Sequence, residues 1–275
     1  MNRDIFEQML SRYPMDSVDA RRNATYEVLQ QVVLSGLYRG GFFSEAAFYG
    51  GTCLRIFHGL ERFSEDMDFT LLRKDLSFSM EKYFPAIMDE CRLLGREVEI
   101  TLKNKQSFGQ VESAFLKDNT DVYDLSFRTE KSIKVKIEVD TQPPLEFDTE
   151  ERLLLQPFSF MTRCLTLPNL FAGKMHALVF RTWKNRVKGR DWYDFEWYVR
   201  NSVPLNFHHL QVRIREFNGR ELGKKQFAEL LKEKLASADM TQVKSDVKPF
   251  LKNAHDIDIW SNDYFLQLAD MIRYD

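Results

Sequence analysis

Two aspartates one residue apart, Asp66 and Asp68, lie in the run Arg62-Phe63-Ser64-Glu65-Asp66-Met67-Asp68-Phe69. On an extended strand, side chains two apart share a face roughly 6.6 Å apart along the backbone, so both carboxylates can converge on one or two divalent cations. Hard oxygen ligands of this kind suit Mg²⁺, which keeps waters and shares itself with substrate phosphates. Upstream stands Gly50-Gly51-Thr52, followed by Cys53 to His58, which reads as a short helix. A side-chain-free turn at a helix start exposes N–H groups that hold phosphate oxygens. The competing reading is that Asp66 and Asp68 only solvate the outer face of a half-buried strand. Asp256-Ile257-Asp258 repeats the spacing with no glycine turn before it and is expected at the surface. It is the order of turn, helix and acidic strand, not the spacing alone, that points to a site.

A third carboxylate would come from a neighbouring strand, and Lys134-Val135-Lys136-Ile137-Glu138-Val139-Asp140 offers two on its polar face. Glu138 is the preferred ligand and Asp140 the alternative, against a reading in which Lys134, Lys136, Glu138 and Asp140 form an ordinary solvated edge. Further on, Lys174 and Arg181 are seven residues apart, two helical turns, and so share a face from which both can reach one triphosphate. From Lys174 to Arg190 there are six Lys or Arg and no acid, with Phe180 and Trp183 interleaved. That is a local patch suited to a nucleic-acid backbone, or else a solvated helix face with its aromatics turned inward. In Lys188-Gly189-Arg190-Asp191-Trp192-Tyr193-Asp194, Asp191 reads as an N-cap and Asp194 as a complement to the helix dipole. Capping does not explain Lys188 and Arg190 beside them, a mixture of charge that fits phosphate or metal handling. Ser64 either hydrogen-bonds its turn or is a phosphorylation site whose added charge would silence the neighbouring acids.

These residues need elements to hold them. A helix is expected from Ser17 to the Gly40-Gly41 break, a short strand at Ala47–Tyr49, a strand at Asp66–Leu71, and a helix from Met80 to Leu94 ended by Gly95. Strands are expected at Val98–Leu102, Val122–Arg128 and Ile133–Asp140, with Pro143-Pro144 ending the sheet. From Pro168 onward the chain reads as helix, broken at Pro204 and Asn218-Gly219. The expected organisation is an α/β domain over 1–160 and a helical domain over 161–275 that carries the basic motifs.

Composition narrows the class. The chain has 275 residues, 44% hydrophobic and 29% charged, enough apolar surface for a core. With 39 Lys and Arg against 41 Asp and Glu there is no global positive field, but from Phe171 onward the balance is 18 against 14. Cys53, Cys91 and Cys164 have no ligand spacing and read as reduced thiols; the five histidines form no ligand set. No apolar run is long enough for a membrane span, and no leader is recognisable, so a cytoplasmic protein is expected. Serine-hydrolase, dinucleotide-binding and P-loop signatures are missing.

Taken together, Tyr49-Gly50-Gly51-Thr52-Cys53-Leu54-Arg55, Arg62 to Phe69, Lys174-Met175-His176-Ala177 with Arg181, and Lys188 to Asp194 resemble the AbiEii/AbiGii toxin family of nucleotidyltransferase-like proteins. The four blocks occur in order across about 150 residues. The resemblance implies an α+β fold of the polymerase-beta-like nucleotidyltransferase superfamily, a mixed sheet with flanking helices and a mostly helical C-terminal half. It implies transfer of a nucleotide from an NTP to RNA, with tRNA 3′ ends as the acceptor of some members. The biological setting it implies is a bacterial toxin–antitoxin or abortive-infection pair with a cognate antitoxin. Asp66 and Asp68 would then bind Mg²⁺ with Glu138, Lys174 would contact the NTP phosphates with Arg181 or Arg190, and Asp191 would be a further essential acid. Gly50, Gly51, Thr52 and Ser64 would complete the substrate site, although Gly-Gly-Thr stands where the wider superfamily has Gly-Ser. A non-catalytic binding protein of the same fold, or a nucleotidyltransferase acting on a protein, remain the alternatives.

Overall fold

The computed structural model describes residues 4–102, 120–127, 133–181 and 187–275. The chain divides into two compact units. The first comprises Met1–His58, Glu65–Pro143 and Thr149–Cys164, and the second Gly59–Ser64, Pro144–Asp148 and Leu165–Asp275.

The first unit is built on a sheet of seven strands among the described residues: β1 (Ala46–Tyr49), β2 (Asp66–Leu71), β3 (Val98–Leu102), β4 (Thr120–Phe127), β5 (Ile133–Asp140), β6 (Thr149–Leu154) and β7 (Phe160–Leu165). Their order is β3-β4-β5-β2-β1-β7-β6. β1 runs antiparallel to β2 and parallel to β7, whereas β2 runs parallel to β5, so the sheet is mixed. The helix α2 (Val18–Arg39) follows the short α1 (Ile5–Leu10); Ser17 caps it by accepting from the Ala20 N–H, and Gly40 ends it. Period-two alternation in β2 sends Met67 and Phe69 fully into the core. There Phe69 stacks on Phe48 at 5.0 Å and meets Phe42 edge-on at 5.1 Å. The expected helix over Met80–Leu94 is a 3-10 turn, Met80–Tyr83, running into α4 (Phe84–Leu93), with Pro85 opening it. All three cysteines are buried and free.

The sheet does not end at Pro143-Pro144. β6 and β7 extend it on the far side of β1. β6 lies at the sheet edge, so none of its residues is fully buried and it shows no hydrophobic alternation to mark it as a strand. Of the expected strand Val122–Arg128, Arg128 lies outside the described residues, and the remainder falls within β4.

The second unit is helical among the described residues: α5 (Leu167–Phe180), α6 (Gly189–Arg200), α7 (Phe207–Asn218), α8 (Lys224–Ala236), α9 (Met240–Val247) and α10 (Asn262–Asp270). Pro168 stands in the first turn of α5, and Gly219 ends α7 in the left-handed conformation. Its core stacks Phe171 on Tyr198 at 4.4 Å and sets Trp192 edge-on to Phe265 at 4.8 Å. The Phe63 N–H donates to the Phe250 carbonyl at 2.8 Å, which ties the 59–64 segment into this unit. No described helix is long and apolar enough to cross a membrane.

Candidate active site

The acidic face is set by strand register. Tyr49 of β1 lies opposite Asp68, while across the parallel β2–β5 pair Asp66 faces Lys136 and Asp68 faces Glu138. Because Met67 and Phe69 are committed to the core, Asp66 and Asp68 must share the other face, where both are half-buried. The helix α3 (Gly50–His58) starts directly off β1. Gly50 has φ of +80°, and a Cβ built on it would stand 2.2 Å from Asp68 Oδ2. Glycine is therefore required twice, for the backbone conformation and for the close approach of the carboxylate. Gly50 and Gly51 form the first turn of α3, where backbone N–H groups have no helical acceptor.

Around this face, buried polar side chains hold the backbone in place. The Thr52 hydroxyl is buried and donates to the carbonyl of Asp66. Gln30 of α2, fully buried, donates to the Glu65 carbonyl at 2.9 Å, and the Tyr26 hydroxyl donates to the carbonyl of Lys134. Thr52 is thus a strut between the turn and β2. Neither Gln30 nor Tyr26 stood out in the sequence, since nothing in a helical pattern tells which polar residue will meet a strand carbonyl.

Of the two acids on β5, Glu138 is in register with Asp68, whereas Asp140 lies opposite Thr70 and accepts from the Gln142 N–H at 3.1 Å, closing the turn that follows. Glu138 forms an ion pair with Lys136. Burial pushes the Lys136 ammonium towards lower pKa, but the carboxylates of Glu138, Asp66 and Asp68 outweigh it and raise its value. In the sequence Lys136 is indistinguishable from the other charges of this strand's polar face. Among the described residues, no three His, Cys, Asp or Glu side chains converge as a metal site by themselves. Two hard carboxylates on one face, Asp68 lying close against the Gly50 backbone, nevertheless fit a divalent cation that completes its shell with water and substrate oxygens. The control pair behaves as expected: Asp256 and Asp258 are exposed, the first within a 3-10 turn, Ala254–Ile257, and the second just after it, and neither is on a strand.

The second unit holds a cluster of its own. Lys174 Nζ donates to Asp191 Oδ1 at 2.8 Å and reaches Asp194 Oδ2 at 2.7 Å, and Arg181 Nη1 donates to Asp191 Oδ2 at 3.0 Å. The seven-residue spacing does bring Lys174 and Arg181 to one anionic partner, but that partner is the protein's own Asp191. Arg62 grips Asp194 with two parallel hydrogen bonds of 2.5 and 2.6 Å. Asp191, Asp194 and Arg62 are buried. Burial favours the protonated form of Asp191, yet Lys174, Arg181 and Lys188 hold it far below the usual carboxylate range; Arg62 and Lys174 likewise depress Asp194. Burial first, then repulsion from Arg181, Arg190 and Lys174, brings Lys188 down to about 8 against the pull of Asp191.

The capping expectation needs correction. α6 starts at Gly189, two residues before Asp191, and the Gly189 N–H donates to Asp246 Oδ2 at 2.8 Å. A Cβ on Gly189 would lie 2.1 Å from the Val243 carbonyl oxygen, so α6 begins against the backbone of α9. Asp191 therefore stands in the first turn of α6 and not at its N-cap, and both Asp191 and Asp194 pair with cations. Arg190 lies over the Phe250 ring at 4.1 Å. Ser64 is buried, which suits bonding within its turn and leaves no surface for a kinase. Trp183, Lys184 and Arg186 of the basic run lie outside the described residues.

Structural comparison finds chains that share this fold. A candidate nucleotidyltransferase from H. pylori superposes with a TM-score of 0.55 at 18% identity, covering 91% of this chain and 92% of that one. JHP933 from Helicobacter pylori gives the same score and identity over 91% of this chain and 90% of its own. No curated protein matches the sequence significantly. At such identity these likenesses establish the fold alone, a nucleotidyltransferase-like mixed sheet followed by helices. The sequence profile of the nucleotidyl transferase AbiEii toxin, type IV toxin–antitoxin system, matches residues 32–268, and the chain therefore belongs to the AbiEii nucleotidyltransferase toxin family.

Proposed function

We propose that this protein is a divalent-metal-dependent nucleotidyltransferase that moves a nucleotide from an NTP to an RNA acceptor, a tRNA 3′ end being the first candidate. As the toxin of its pair it would be restrained by a cognate antitoxin, in keeping with its family. The observation that carries the reading is the register that sets Asp66 and Asp68 on one face with Gly50 against Asp68. Those two carboxylates would hold the cation, which when bound supplies charge neutralisation at the α-phosphate and a lowered pKa for the attacking hydroxyl. The chain's own part is positioning. Gly50 and Gly51 offer N–H groups to phosphate oxygens, and Thr52 and Gln30 fix the backbone on both sides of Asp66. In the second unit, three cations stand against two carboxylates in the Arg62–Lys174–Arg181–Asp191–Asp194 cluster. Lys174 spends two of its three N–H donors there. The net positive charge of this cluster, with Lys188 beside it, supports phosphate binding by Lys174 and Arg181.

The test is to incubate the purified protein with Mg²⁺, each α-labelled NTP, and a mixture of total RNA and protein. Label on RNA with one preferred NTP is the expected result. Label on protein would replace the acceptor, and no transfer to either with any NTP would favour a binding protein that has kept only the fold.

A further inference from the structure

The acidic face contains a positive charge of its own. Lys136 stands in register with Asp66, two residues before Glu138 on the same face of β5, and pairs with Glu138. Both side chains are largely covered, 27% and 21% exposed, so this is not a solvated surface pair. An ammonium withdrawn from water in this way is costly unless carboxylates surround it, and here Asp66 lies opposite Lys136 and Asp68 opposite its partner Glu138. Conversely, three carboxylates on adjacent strands repel one another unless something positive lies among them.

We propose that Lys136 is a resident counter-ion of the candidate metal site: it neutralises Asp66, Asp68 and Glu138 when no cation is bound, and must yield Glu138 before a divalent cation can be fully ligated. This rests on the nucleotidyltransferase reading of the same face. Lys136 is a positioning residue, setting how tightly a cation binds and whether Glu138 is released to join it. A divalent cation and the ammonium compete for the same negative potential, so removing the ammonium strengthens cation binding while weakening the cation-free protein.

The experiment titrates the full chain with Mn²⁺, following free Mn²⁺ by electron paramagnetic resonance, for wild type, Lys136→Met, Lys136→Arg and Asp68→Asn. Melting temperatures are recorded in chelator and in saturating Mn²⁺. Lys136→Met should bind Mn²⁺ on the order of tenfold tighter, melt lower than wild type in chelator, and gain more on adding Mn²⁺. Lys136→Arg should stay near wild type, because the charge is kept. Equal or weaker Mn²⁺ binding by Lys136→Met, with binding lost in Asp68→Asn, would overturn the counter-ion role and leave the metal site standing. No Mn²⁺ binding by wild type or Lys136→Met would overturn the metal site and the counter-ion role together.

Discussion

Replacing Gly50 with alanine separates backbone strain from damage to the acidic face. The φ of +80° costs an L-residue about 1–2 kcal/mol, which for a chain of this size lowers the melting temperature by a few degrees. The added Cβ would also sit 2.2 Å from Asp68 Oδ2. Ordinary contact is about 3.4 Å, so the carboxylate has to retreat by roughly 1 Å, a movement that a side-chain end makes without unfolding anything but that can cost about a hundredfold in rate at a reacting centre. Gly95 supplies the control: its φ is +66°, and nothing lies within 4 Å of the equivalent Cβ. Gly50→Ala and Gly95→Ala should therefore lose similar stability in a thermal melt, while only Gly50→Ala loses nucleotide transfer, by about two orders of magnitude. Full transfer activity in Gly50→Ala, or equal loss in both variants, would refute the claim that this glycine exists to admit Asp68.

Thr52→Val removes the hydroxyl that meets the Asp66 carbonyl and should cost about 1–3 kcal/mol with reduced transfer; Thr52→Ser should retain both, as read by denaturant melts and labelled-NTP assays. Arg62→Ala leaves Asp194 buried without its forked partner and should destabilise by about 3–5 kcal/mol, whereas the apolar pair Arg62→Met with Asp194→Leu should recover most of that in the same denaturant series. Acid should destabilise the second unit through Asp191 and Asp194. Their folded-state pKa values are depressed, so the stabilisation is complete above the ordinary aspartate value near 4 and is lost as pH falls through the depressed values. Melting temperature measured against pH should fall less steeply below about pH 4 in Asp191→Asn than in wild type.

Local pattern carried much of this fold. Asp66–Leu71 is a strand in the sequence because Met67, Phe69 and Leu71 alternate with polar neighbours, and the same alternation is what exposes both aspartates on one face. β6 was illegible for the opposite reason, since the polar and charged residues of Thr149–Arg152 followed by Leu153-Leu154 carry no apolar alternation. Pairings over long separations were also out of reach. Arg62 and Asp194 are 132 residues apart, and nothing local says that a buried guanidinium will find that acid. Lys174, Arg181 and Asp191 were all visible as charged candidates, but their spacing could not reveal that they answer one another. Lys136 looked like an edge lysine because its significance depends on the parallel register with β2, which is fixed only when the sheet assembles.

The most direct measurement is transfer of α-labelled nucleotide to whichever acceptor takes the label, by Asp66→Asn and Asp68→Asn proteins whose melting curves match wild type, since each substitution keeps the shape and removes one charge. Transfer reduced by at least about a thousandfold in both is the result expected if the two carboxylates hold the catalytic cation. Wild-type transfer rates in either folded variant would contradict it.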